Sequence, residues 1–84
     1  MNNTLSLRTY DLTLYEKGKS PVILDSVDTA RDAILNAAAY LRLTRHGMDF
    51  DAAEKLLLTT GEISFTAGSR YKEETITIME WTRQ

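Results

Sequence analysis

Chemistry in this 84-residue chain has one obvious place to start. The stretch TRHGMDFDAAE, residues 44–54, carries the only histidine, His46, together with Asp49, Asp51 and Glu54. An imidazole followed at three and five residues by carboxylates offers ligand types that zinc, manganese or iron accept. Histidine also changes charge near neutral pH, which suits a general base. Local backbone chemistry explains the same residues with fewer assumptions. His46 complements the negative end of a helix, Gly47 supplies the left-handed residue that ends it, and Asp49 or Asp51 caps the next one, with Glu54 as a capping-box partner. A metal would need further ligands, and the chain has no second histidine and no cysteine. The stretch therefore reads as a joint between two helices, and we expect no catalytic residue, no cofactor and no metal.

Other catalytic patterns are weaker. Gly18, Gly47, Gly61 and Gly68 stand apart from one another in turns, so neither a phosphate-cradling loop nor a dinucleotide fingerprint can be drawn. Glu73 and Glu74 are adjacent on a strand, where consecutive side chains point to opposite faces and cannot share acid–base work. Nucleic-acid binding has more substance. Arg42 and Arg45 are neighbours on a helix, and Arg31 lies eleven residues earlier on a similar azimuth, so the three could form a row that touches phosphates. Asp28 and Asp32 dilute that row, and no basic or aromatic RNA-binding motif accompanies it.

Composition bounds what can position any of these residues. One domain spanning 1–84 is expected, and a chain of this length buries only about 60–65% of its unfolded surface. A hydrophobic share of 43% with 26% charged residues belongs to folded chains rather than disordered ones. A net charge of -2 is too mild for a mimic of DNA and of the wrong sign for a general phosphate binder. The absence of cysteine removes disulfides and thiolate chemistry, and neither a leader segment nor an uninterrupted apolar span is visible. A cytoplasmic protein without a membrane segment is the expectation.

The elements follow from periodicity. TYDLTLY alternates Tyr10, Leu12 and Leu14 against Thr9, Asp11, Thr13 and Tyr15 in the manner of a half-buried strand. Leu5 and Leu7 have the opposite parity to Leu12, so the strand starts near Thr9 or carries a bulge between Leu7 and Tyr10. After the turn residues EKGKSP, the run Pro21–Leu24 reads as a return strand. Residues 25–47 then change to a helical period, with Ala30, Ala33, Ile34, Ala37, Ala38 and Leu41 as one stripe, Ser26 or Asp28 as the cap, and Arg42, Arg45 and His46 at the far end. A second helix, ended by Gly61, places Phe50, Ala53, Leu56 and Leu57 on one face. EISFTA and YKEETITIMEW close the chain as two more strands. The expected fold is α+β, with a four-stranded antiparallel sheet and two helices on one face, in the order β-β-α-α-β-β.

With Leu12, Leu14, Ile63, Phe65, Ile76 and Ile78 turned to the helices, Tyr15, Met79 and Trp81 must face outward among threonines. Trp, Tyr and Met are enriched in protein interfaces because they combine large apolar area with few bonds to freeze. That face predicts protein binding, either to another protein or to a second copy through the face or through the terminal strand at a sheet edge. From TYDLTLY through DSVDTARDAILNAAAYLRLTRHG to GEISFTAGSRYKEETITIMEW, the chain resembles small bacteriophage or prophage proteins that block host machinery, anti-CRISPR proteins among them. The resemblance implies a non-catalytic inhibitor that binds a bacterial protein or ribonucleoprotein complex stoichiometrically.

Overall fold

The computed structural model of the chain describes residues 7–43, 49–68 and 72–83. The elements are β1 (Leu7–Glu16), β2 (Val22–Val27), α1 (Ala30–Leu41), α2 (Phe50–Thr60), β3 (Glu62–Gly68) and β4 (Glu73–Arg83). All neighbouring strands are antiparallel, in the order β2-β1-β4-β3. The expected α+β architecture with its β-β-α-α-β-β order is the one observed. The last strand is interior, so the alternative in which it recruits a second chain from a sheet edge does not hold: the edges are β2 and β3.

β1 pairs with β4 in unbroken register from Leu7 opposite Arg83 to Glu16 opposite Glu74. The strand therefore starts before Thr9 without the expected early bulge. The irregularity lies on the other side of β1, where Leu12 opposes Asp25 and Thr13 opposes Ile23, leaving Leu24 as an extra residue in β2. The β1–β2 turn closes through the Lys19 N–H donating to Glu16 O at 3.1 Å, with Gly18 at φ 79°. A positive φ at that turn position favours glycine.

α1 buries the whole expected stripe, Ala30, Ala33, Ile34, Ala37, Ala38 and Leu41. Its cap is Thr29, whose hydroxyl accepts from the Asp32 N–H at 3.1 Å. Ser26 and Asp28 do not serve, because β2 continues through Val27 and the Ser26 hydroxyl donates to Asp11 Oδ1 across to β1. The helix also stops earlier than expected. Arg42 takes φ 59°, and the Leu43 N–H donates back to Ala38 O at 2.9 Å, which lets Leu43 pack on the core. That backward bond with an apolar residue behind it is a common way to end a helix. Arg42 is thus the cap rather than part of the last turn, and Arg45, His46 and Gly47 lie outside the described residues.

α2 is capped by Asp49, which accepts from the Ala52 N–H at 3.0 Å, and ends at Gly61 with φ 81°. With Asp49 in that role, Asp51 falls in the first turn, so the alternative Asp51–Glu54 capping box does not form. Ala53 and Leu57 are buried and Phe50 is half-buried, whereas Leu56, expected with them, is 50% exposed. The core lies between one face of the sheet and the two helices. Leu12, Ile34, Leu57, Ile76 and Ile78 are its largest fully enclosed side chains.

Candidate docking face

The uncovered side of the sheet is built by strand parity. In β1 the outward residues are Thr9, Asp11, Thr13 and Tyr15, and in β4 they are Glu73, Thr75, Thr77, Met79 and Trp81. The register aligns them in rows. Thr9 stands beside Trp81; Asp11, Met79 and Glu62 form the next row; Thr13, Thr77 and Ser64 the third; Tyr15, Thr75 and Thr66 the fourth.

The middle of the face carries two hydroxyl pairs between β3 and β4. Ser64 Oγ and Thr77 Oγ1 are 2.9 Å apart, as are Thr66 Oγ1 and Thr75 Oγ1. Such cross-strand pairs hold β3 on β4 and leave a flat surface of methyls and paired hydroxyls.

Large apolar groups stand at the two ends. Trp81 is 54% exposed and Met79 42%, two residues apart on β4, so they form one patch. Tyr15, 43% exposed, lies four residues along β1 from Asp11, which is beside Met79, and six from Thr9, which is beside Trp81, and is therefore about 13 Å from the near end of that patch and about 20 Å from its far end. The expected trio is one pair plus a distant residue. Tyr15 has another neighbour, Ile23, which sits opposite Thr13 and is 64% exposed. Ile23 was not among the residues singled out from sequence. Alternation within Pro21–Leu24 gives no absolute face, because the extra residue at Leu24 resets the parity of β2.

Of the arginine row, only Arg31 and Arg42 lie among the described residues. Arg31 Nη2 lies 2.7 Å from Asp51 Oδ1 and 2.7 Å from Glu54 Oε1, tying α1 to α2. Hydrogen bonds to Asp51 and Glu54 hold its guanidinium even more firmly protonated than usual. The two carboxylates take the N–H groups of Nη2 and offset the charge of the guanidinium. Arg42 is exposed at the end of α1, and Arg45 lies outside the described residues, as does His46.

Two depressions are lined by described residues. One lies between β2 and α1, lined by Leu12, Leu24, Asp25, Asn36, Ala39 and Tyr40, and its polar groups serve each other, Asn36 Nδ2 donating to Asp25 Oδ2 at 3.3 Å. In the other, beside Arg42, Lys72 Nζ is 3.8 Å from Glu74 and 3.7 Å from Glu16. Among the described residues no three His, Asp or Glu side chains converge as a metal site would require, and no helix is long and apolar enough to cross a membrane. Comparison with known protein families, with curated proteins and with solved structures returned no match.

Proposed function

We propose that this protein is a non-catalytic binding module whose outer sheet face docks another protein. The observation that carries the reading is the exposed Met79–Trp81 pair on a flat, hydroxyl-paired sheet. Folding gains little from two large apolar side chains left half in water, while a partner that covers them removes apolar area worth about 25 cal/mol per Å². Paired hydroxyls around them cost little to cover, since their hydrogen bonds persist on binding. A stoichiometric inhibitor of a bacterial protein or ribonucleoprotein complex is the form of this function we favour, and it rests on the resemblance to phage-encoded inhibitors.

The test is capture from a bacterial lysate on the immobilised chain, comparing wild type with Trp81→Ala and with Leu35→Ala, an exposed residue on α1. Wild type and Leu35→Ala should retain a species that Trp81→Ala loses, with circular dichroism of all three alike. An identical retained set for all three variants would sink the reading.

A further inference from the structure

The two edges of the sheet are built differently. β2 is preceded by Pro21, interrupted by the extra residue Leu24, and has its Ser26 N–H taken by Asp25 Oδ1 at 2.8 Å. Proline, bulges and side-chain capping are the devices by which edge strands refuse further pairing. β3, EISFTAG, has no proline, no lysine and no register shift along Glu62–Gly68.

Hydrogen-bond phase shows which groups that edge presents. Glu80 N–H donates to Gly61 O at 2.8 Å, so Gly61 and every second residue after it, Ile63, Phe65 and Ala67, turn their backbone groups towards β4. Glu62, Ser64, Thr66 and Gly68 turn theirs to the free side. Glu62 confirms the phase, because its carbonyl accepts from the Thr60 hydroxyl at 2.8 Å rather than from β4. Ser64 and Thr66 present a donor and an acceptor each, with no partner among the described residues.

We propose that the free edge of β3 pairs with β3 of a second copy, antiparallel about a twofold axis at Phe65. The sequence is self-complementary in that register. Ser64 falls opposite Thr66 of the mate, repeating the hydroxyl pairing that β3 already makes with β4, and Ile63 falls opposite Ala67. Glu62 faces Gly68, so no like charges meet. The backbone phase agrees as well: Ser64 and Thr66 become the hydrogen-bonded pairs, and Phe65 meets its mate in the closer, non-bonded position. A register shifted by one residue fails on the hydrogen bonds.

α2 supplies an apolar ledge above this edge. Asp51 and Glu54 face α1 through Arg31, and Ala53 and Leu57 face the sheet. Leu56, about 100° from Leu57 in the sense opposite to Glu54, therefore looks out over β3 on the side where Thr60 meets Glu62. The twofold brings this half-exposed leucine to its own mate. Pairing over so few residues buries less than about 1,200 Å², so a reversible dimer with a dissociation constant of about 1–100 µM is expected. This association uses the edge of the sheet and does not rest on the docking role of its outer face.

Sedimentation equilibrium of the full chain should show a monomer–dimer equilibrium. Thr66→Pro removes one outward N–H and leaves the backbone bonds of β3 to β4 in place, at the loss of the Thr66–Thr75 hydroxyl pair, and Leu56→Lys removes the ledge. Each should weaken the dimer at least tenfold while circular dichroism stays that of wild type. Because the chain has no cysteine, Phe65→Cys gives a register test: oxidation should link two chains through residue 65, whereas Ser64→Cys, displaced from its own mate, should link poorly. A wild-type chain that stays monomeric at about 0.5 mM, or a dimer that survives Thr66→Pro and Leu56→Lys, overturns the proposal. A dimer lost only on Trp81→Ala also overturns it, since association would then run through the outer face.

Discussion

Tyr10 is a phenol inside the core, 3% exposed, at the end of the buried row that continues through Leu12 and Leu14. Burial raises its pKa, and the carboxylate of Glu80 raises it further. The folded state therefore favours the neutral phenol. Below the unfolded value of about 10 both states keep the proton and the contribution to stability is complete; as pH rises beyond it the unfolded chain ionises first, binds fewer protons than the folded one, and stability falls through the folded pKa. Urea unfolding at about pH 8 and about pH 11 should show wild type losing more stability between the two than Tyr10→Phe does. Equal losses would mean that other groups carry the alkaline response. The same phenol was legible in sequence only as a member of an apolar parity. What separates it from Tyr15, five residues on, is the face: Tyr10, Leu12 and Leu14 turn to the core, Tyr15 to the uncovered side.

At the scale of elements, the end of α1 stores a small strain. Arg42 is the one residue other than glycine with positive φ among those described. The left-handed region costs a side chain with a Cβ about 1 kcal/mol relative to glycine. Arg42→Gly should therefore stabilise the fold by about 0.5–1 kcal/mol, seen as a melting temperature about 2–6 °C higher. A lower melting temperature would show that the arginine side chain contributes more than its backbone costs. This helix end also marks where sequence reading stops being sufficient. The stripe from Ala30 to Leu41 was legible because its period is imposed by one buried face. Its terminus was not, because Gly47 offers a stronger local stop signal than Arg42, and the nearer stop is decided by Leu43 reaching back to the core. Arg31 follows the same logic. Its azimuth matches Arg42, yet its partners Asp51 and Glu54 belong to another helix, and one-dimensional spacing cannot show them. The outer face was half legible: strand parity placed Tyr15, Met79 and Trp81, while only the register shows how far Tyr15 stands from the other two and that Ile23 accompanies it.

For the molecule as a whole, charge distribution decides between the two kinds of partner that the sequence admits. Asp11, Glu62 and Glu73 place acidic side chains on the outer face, and the chain carries -2 overall. Arg31 is neutralised within the helix layer, and Lys72 stands among Glu16 and Glu74. A reader of phosphates through three arginines loses about 40-fold in affinity between 50 and 200 mM salt, because each neutralised phosphate releases a counterion. Docking through Trp81, Met79 and a field of paired hydroxyls releases almost none. The affinity of the captured partner should change by less than about tenfold over that range, and excess duplex DNA or RNA should not displace it. A slope as steep as that of a phosphate reader, or displacement by bare nucleic acid, would move recognition from the aromatic patch to the cationic end of α1 at Arg42 and would make this chain a nucleic-acid-binding regulator.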